Sequence, residues 1–452
     1  MTISETIAAF LCGLTRDTIP EPVRRKAEAC LLNGYGIGLG GYSTPYAPVA
    51  RKAALAMDPA GDGGATLLGD GRKAGPGGAM LANSALFHGR AQEDTCGAAH
   101  LGAIVIPMLT ALIESGRGAQ ANFIPALVAG YEAGGLFEEL FAVDTTPAGF
   151  RASTIYGVIG AAAAAGRLLD LAPAEMAAAL ANAVSFSGGL LQSFTDGTDE
   201  WRYQVGVTAR AGWTAAELAA AGSTSAPHAF EGPKGLIAAF ARKELDPAAV
   251  RAKLGRDWQT LRVAFKPFPV CAFNQTPVIS ALELRKRLDP AKIAAVEVFM
   301  NPYECGYAGM DSVGPFNSIS GTLMSIPFCI ALTLARGAPT MDAMQRYDDA
   351  EVNGLMTRIK LTPSPEIPVL SCRIDVALES GANLREDTKM RAEDYAYSFE
   401  QVSEMVRRIG REQALPDAAY DRLERFAADA AREPISLVTE AFAMLPERVK
   451  AA

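Results

Sequence analysis

Through roughly the first 265 residues, apolar side chains recur at helical rather than strand spacing. Pro20 and Pro22 open one such segment. Val23, Ala27, Leu31 and Ile37 give it an apolar side, and Gly34 and Gly38 leave room for a second helix to approach closely. Residues 101–114 and 122–136 are apolar at the same spacing. Pro173 starts a segment in which Met176, Leu180 and Val184 recur every four residues, and residues 206–221 make another helix of small side chains. Nothing in this region alternates for long enough to form a sheet. Several segments are apolar all round, which predicts a layered bundle with some helices enclosed on every side.

The pattern changes near residue 266. Residues 295–300 and 357–361 are strand-like. Residues 372–379 alternate with period two: Cys372, Ile374, Val376 and Leu378 on one face, Arg373, Asp375 and Glu379 on the other, followed by a turn at Gly381-Ala-Asn. Helical segments at 275–288 and about 320–336 lie between the strands, and helical spacing returns at 397–409 and 418–431. The expected fold is mainly α: a large multihelical domain with a smaller inserted α+β lid domain. Residues 1–265 supply the first part of the helical domain, 266–392 the lid, and 393–452 C-terminal helices that return to the helical domain.

Composition narrows the class. Of 452 residues, 49% are apolar and 20% charged, an ordinary globular balance that permits a large core. A net charge of −8 argues against general nucleic-acid binding but allows a locally basic cleft for an anion. The seven cysteines, at 12, 30, 96, 271, 305, 329 and 372, form no CxxC pair, so neither a zinc knuckle nor a disulfide scaffold is suggested. Met1-Thr-Ile-Ser-Glu does not read as a signal peptide, and the apolar run 155–166 is too short to cross a membrane, so a cytoplasmic protein with no membrane partner is expected. Without a phosphate-binding loop, a dinucleotide fingerprint or HExxH, neither a nucleotide cofactor nor a metal is expected.

Four segments carry candidate chemistry. Two of the three histidines bracket the first, His88-Gly-Arg-Ala-Gln-Glu-Asp-Thr-Cys-Gly-Ala-Ala-His100, with Glu93, Asp94 and Thr95 between them. Imidazole titrates near neutral pH, and a neighbouring carboxylate fixes its tautomer, so His100 with an acid of the Glu93-Asp94 pair is the candidate for proton transfer, unless that pair is only a solvated acidic turn. His88 reads equally as a site group or as a pin for a helix. In the second segment, Gly149-Phe-Arg-Ala-Ser-Thr-Ile-Tyr-Gly157, Ser153 and Thr154 suit a helix start and Arg151 suits a carboxylate clamp. The third, 188–206, reads as a polar Gly-rich loop whose Gln192, Trp201, Arg202 and Gln204 either line a pocket or simply pack a surface loop. In the fourth, 265–275, Lys266 is either a fixed cation beside a cleft or the solvated lysine of a hinge.

Together these segments resemble the MmgE/PrpD family, which includes 2-methylcitrate dehydratase, cis-aconitate decarboxylase and iminodisuccinate epimerase. The resemblance covers roughly residues 5–430. It rests on Pro20-x-x-Val-x-x-x-Ala27, NSALFHGRAQEDT ahead of HLGAIVIP, GYEA at 130–133, GFRASTIYG, VGVTARAGWTAAELAAAG and KPFPVC. It implies a helical domain with an α+β lid, a site in the cleft between them, a homodimer, no metal or organic cofactor, and small di- or tricarboxylate substrates. It also implies Asp94, Thr95, His100 and Lys266 as catalytic-cleft positions. Three positions where members often carry histidine hold Arg151, Gln204 and Gln275 here, and Ala91 stands where many have aspartate.

The resulting expectation is a cofactor-independent lyase, dehydratase-like, that moves a proton at a carbon next to a carboxylate. His100 would be the base or acid, Asp94 its partner and Thr95 a hydrogen-bonding group. Lys266, Arg151, Arg202, Gln204, Gln275, Ser153 and His88 would bind substrate. An epimerase or decarboxylase on a similar substrate, a non-catalytic carboxylate-binding relative and a purely helical interaction protein are the alternatives.

Overall fold

Helices that are apolar on every side need neighbours on every side, and the first core supplies them. The structure, a computed structural model, describes residues 1–61 and 63–446. Helix Gly157–Leu168 is buried at every position and lies between Phe123–Thr145 and Glu200–Ala220. Glycines set how close these helices come. A Cβ on Gly38 would meet the Phe87 ring at 2.6 Å, and one on Gly34 would meet Ile106 Cδ1 at 2.6 Å, so Glu21–Gly40 packs directly on its neighbours, Pro76–Phe87 and Gly102–Glu114. The C-terminal helices Phe399–Glu412, Asp417–Ala428 and Ser436–Ala443 share this core: Val402, Val406, Leu423 and Phe442 are buried with residues from the first 265. The last six residues of the expected C-terminal stretch, 447–452, lie outside the described residues.

A second core gathers residues 270–376 around a four-stranded sheet. Its order is Ile359–Pro363, Ile293–Met300, Ser371–Leu378, Asn383–Lys389, with the first pair parallel and the others antiparallel. Helices Gln275–Arg285 and Ile326–Arg336 cover one face. Cys372, Ile374 and Val376 point into this core, as their alternation predicts. The fold is mainly α with one small sheet region. Tyr46, Ala91, Leu191, Phe194 and Trp201, from the helical part of the chain, belong to this second core, so the two cores meet around them.

Two readings need correction. Residues 188–206 are not one loop: Glu200 starts a long helix, so Trp201, Arg202 and Gln204 stand on its first turns. The strand Asn383–Lys389 was not expected; it is an edge strand whose exposed polar side chains give no apolar alternation. Among the described residues, no helix is long and apolar enough to cross a membrane.

Candidate active site

The site is assembled by a two-residue ladder. Thr95 pairs with Ala264 and Cys96 with Val263, antiparallel, which brings the segment after helix Pro76–Phe87 beside the segment that carries Lys266. In extended backbone, alternate side chains face opposite ways. Glu93 and Thr95 line a cavity of about 50 Å³ together with His100, Arg151, Ser153 and Lys266, while the Asp94 carboxylate turns to Tyr131. Gly97 ends the ladder at φ +60°, where a Cβ would run into the Glu138 carboxylate. From the second core, Cys271, Phe273 and Tyr307 close the cavity.

Glu93 is its electrostatic centre. The Lys266 ammonium lies 2.9 Å from Oε1, His100 Nδ1 lies 3.1 Å from the same oxygen, and His88 Nδ1 lies 3.2 Å from Oε2. Burial alone would push this carboxyl up, but His88, Lys266 and His100 outweigh it and hold Glu93 well below the usual carboxylate range.

The partners fix both imidazole tautomers. His100 Nδ1 lies 3.1 Å from the Asp94 carbonyl oxygen, which only accepts, so the proton sits on Nδ1 and Nε2 keeps its lone pair. The ring is 19% exposed, its opening being to the cavity. Burial, then the nearby Lys266 charge, pushes its pKa well below the ordinary histidine value, so it is neutral at pH 7. His88 is fully enclosed. Arg151 donates to its Nε2 at 2.6 Å, which leaves the proton on Nδ1, toward Glu93. Burial lowers its pKa to about 4 although Glu93 opposes the shift.

Several expected site residues serve elsewhere. The Asp94 carboxylate does not meet His100: it accepts from the Gly102 N–H at 3.2 Å and from the Tyr131 hydroxyl, bracing the helix that follows His100. Burial pushes its pKa up to about 6. Arg202 does not reach the cavity. It donates to the His88 and Gly89 carbonyls at 2.8 and 2.6 Å, satisfying the C-terminal end of helix Pro76–Phe87, and lies over the Tyr46 ring. Gln204 accepts from Arg151 at 3.0 Å. Gln275 bonds the backbone of Phe268 and Val270 and so holds the bend after Lys266. His88 lies behind Glu93 rather than on the cavity wall. Arg151 lines the cavity, but three of its five donors are taken by the Trp201 carbonyl, Gln204 and His88. Ser153 Oγ also lines it and accepts the His100 N–H at 3.1 Å. Thr95 and Lys266 are on the wall as expected. Glu93, rather than Asp94, is the acid that meets both imidazoles.

A family model for the MmgE/PrpD N-terminal domain matches residues 5–248, more than half of the chain. The chain belongs to the MmgE/PrpD family. It is 25% identical to a cis-aconitate decarboxylase of Aspergillus terreus over 418 residues, 86% of this chain and 84% of that protein. Against the human cis-aconitate decarboxylase it is 24% identical over 405 residues, 85% and 83% of the two chains. It is 28% identical to the cis-aconitate decarboxylase-like protein oryM of Aspergillus oryzae over 308 residues, 64% of this chain and 63% of that one, so it spans a little under two thirds of the oryM protein. These MmgE/PrpD relatives are lyases by name.

Arg151 and Gln204 form a bonded pair that orders His88, and Gln275 bonds backbone carbonyls. Ala91, at φ +52°, presents only a methyl group to the cavity. Besides Cys271 and Tyr307, whose pKa values burial raises, the acid–base equipment of the wall is His100, Lys266 and the Glu93 between them. Among the described residues, no three His, Cys, Asp or Glu side chains are grouped to hold a metal ion.

Proposed function

We propose that this protein is a cofactor-independent lyase that removes a proton from a carbon next to a carboxylate of a small di- or tricarboxylate. Support comes chiefly from one observation: His100 Nδ1 faces two acceptors, the Asp94 carbonyl oxygen and Glu93 Oε1, each at 3.1 Å, which leaves Nε2 to take a proton beside the Lys266 ammonium. Lys266 and the uncommitted donors of Arg151 bind the substrate carboxylate. Nε2 takes the adjacent C–H proton, and Glu93 stabilises the imidazolium through Nδ1. The electron pair left by the proton delocalises into the carboxylate under the two cations, where fixed positive charge counts for most. With a hydroxyl on the next carbon, the imidazolium returns its proton to that oxygen, water leaves and the double bond forms. A positioned base of this kind contributes about 10²–10⁴-fold.

The decarboxylase names of the relatives favour a second reading, in which carbon dioxide leaves and the Lys266 ammonium protonates the carbon. An epimerase would return the proton to the opposite face. A homodimer is proposed on the family resemblance. The test is a panel of di- and tricarboxylates in heavy water followed by proton NMR. Exchange or elimination is expected at a carbon next to a carboxylate, lost in a folded His100→Ala variant. Binding without any exchange would leave a non-catalytic carboxylate-binding relative, and turnover surviving in His100→Ala would remove the assignment of the base.

A further inference from the structure

The cavity around His100 has room for a few water molecules or about one carboxylate group, yet it does not end there. Thr95, Gly97, Ala98, Lys266, Ala272 and Phe273 also wall a second, larger cleft of about 490 Å³ that adjoins it. That volume is ordinary for a small-molecule site. Its apolar lining comes from both parts of the chain: Ala142 and Val143 from helix Phe123–Thr145, Phe265 from the segment after the ladder, and Val369 and Leu370 from just before strand Ser371–Leu378.

The charged groups along the cleft are already matched. Glu138 takes the Ala98 N–H at 2.8 Å and pairs with Arg262 at 3.1 Å. Glu139 pairs with Lys253 at 3.0 Å and accepts from Gln259 at 2.9 Å. The Tyr395 hydroxyl is bonded to Thr276 at 2.7 Å. Lys266, at the inner end, is shared with Glu93 on the cavity side, and along its length the cleft offers carbon. Val143 and Val369 remain 64% and 45% exposed there, apolar surface that a ligand would take out of water.

Resting on the carboxylate-lyase reading above, we propose that the natural substrate carries an apolar arm on its carboxylate-bearing carbons, and that this arm lies in the cleft between Val143 and Val369 while the reacting end sits at His100 and Lys266. The arm is what selects this substrate over the bare acid.

The test uses the full chain and succinates substituted at carbon 2 with methyl, butyl or octyl groups, with binding measured by calorimetry and carbon-bound hydrogen exchange measured in heavy water. A fully buried methylene is worth about fourfold in affinity, so butyl should bind about tenfold or more tighter than methyl. Val143→Asp and Val369→Asp place a charge in the path of the arm at exposed positions and should flatten the dependence on chain length. Val207→Asp, on an exposed apolar position of helix Glu200–Ala220 outside the cleft, should keep it. Affinities that do not rise with chain length, or a rise that survives both cleft variants, overturn the proposal. Chain-length-dependent binding with no exchange of any member supports the cleft and overturns the lyase reading. Exchange with flat affinities does the reverse.

Discussion

Which carboxylate of an adjacent pair meets the imidazoles decides how this site works. Glu93 contacts His88, His100 and Lys266, whereas Asp94 faces Tyr131 and Gly102. The two therefore answer differently to amide substitution. Glu93→Gln removes the charge that balances Lys266 and supports the imidazolium, and the exchange rate should fall by about 10²-fold or more. Asp94→Asn should act on stability instead, costing about 1–3 kcal/mol for an unmatched buried partner, read as a lowered urea midpoint. The opposite pattern would return the proton-transfer role to Asp94. In the sequence the histidines, the acid pair and Lys266 stood out by type. The choice between two neighbouring acids needed the two-residue ladder to be recognised, and so short a strand leaves almost no periodic signal.

At the level of elements, close helix contacts are the feature most open to test. Gly38 lies against the Phe87 ring with no space for a Cβ, so Gly38→Val should destabilise the protein by about 1–3 kcal/mol through overpacking, seen in the urea midpoint. An unchanged midpoint would mean that the two helices separate freely. These small-residue helices were legible because glycines recur on an apolar face. The start of helix Glu200–Ala220 was not. Its first turns are polar and find partners only in three dimensions: Arg202 at the His88 and Gly89 carbonyls, Trp201 Nε1 at Ser320 Oγ. The strand Asn383–Lys389 was hidden for a related reason. Arg385 and Glu386 are held by Asp375 and Arg287, so a polar edge pairs by charge rather than by apolar alternation.

For the whole molecule, the site lies where two cores meet, and its buried neutral histidines tie folding to pH. His88 has a folded pKa of about 4 against an ordinary value of about 6.5, so the unfolded chain binds a proton in that interval that the folded chain does not. Its contribution is complete above about pH 6.5 and is lost as pH falls toward 4. Buried carboxyls with raised pKa values, such as Asp94 and Glu132, work in the opposite direction and are common to wild type and variant. Relative to His88→Gln, then, wild type should lose up to about 1.4 kcal/mol per pH unit across this window. Parallel pH profiles for the two proteins would show that His88 is charged in the fold. The most direct test of the account is nitrogen-15 NMR of the three imidazoles at pH 7, assigned by single substitutions. His100 should show a protonated Nδ1 and an unprotonated Nε2; an imidazolium, or the proton on Nε2, would contradict it.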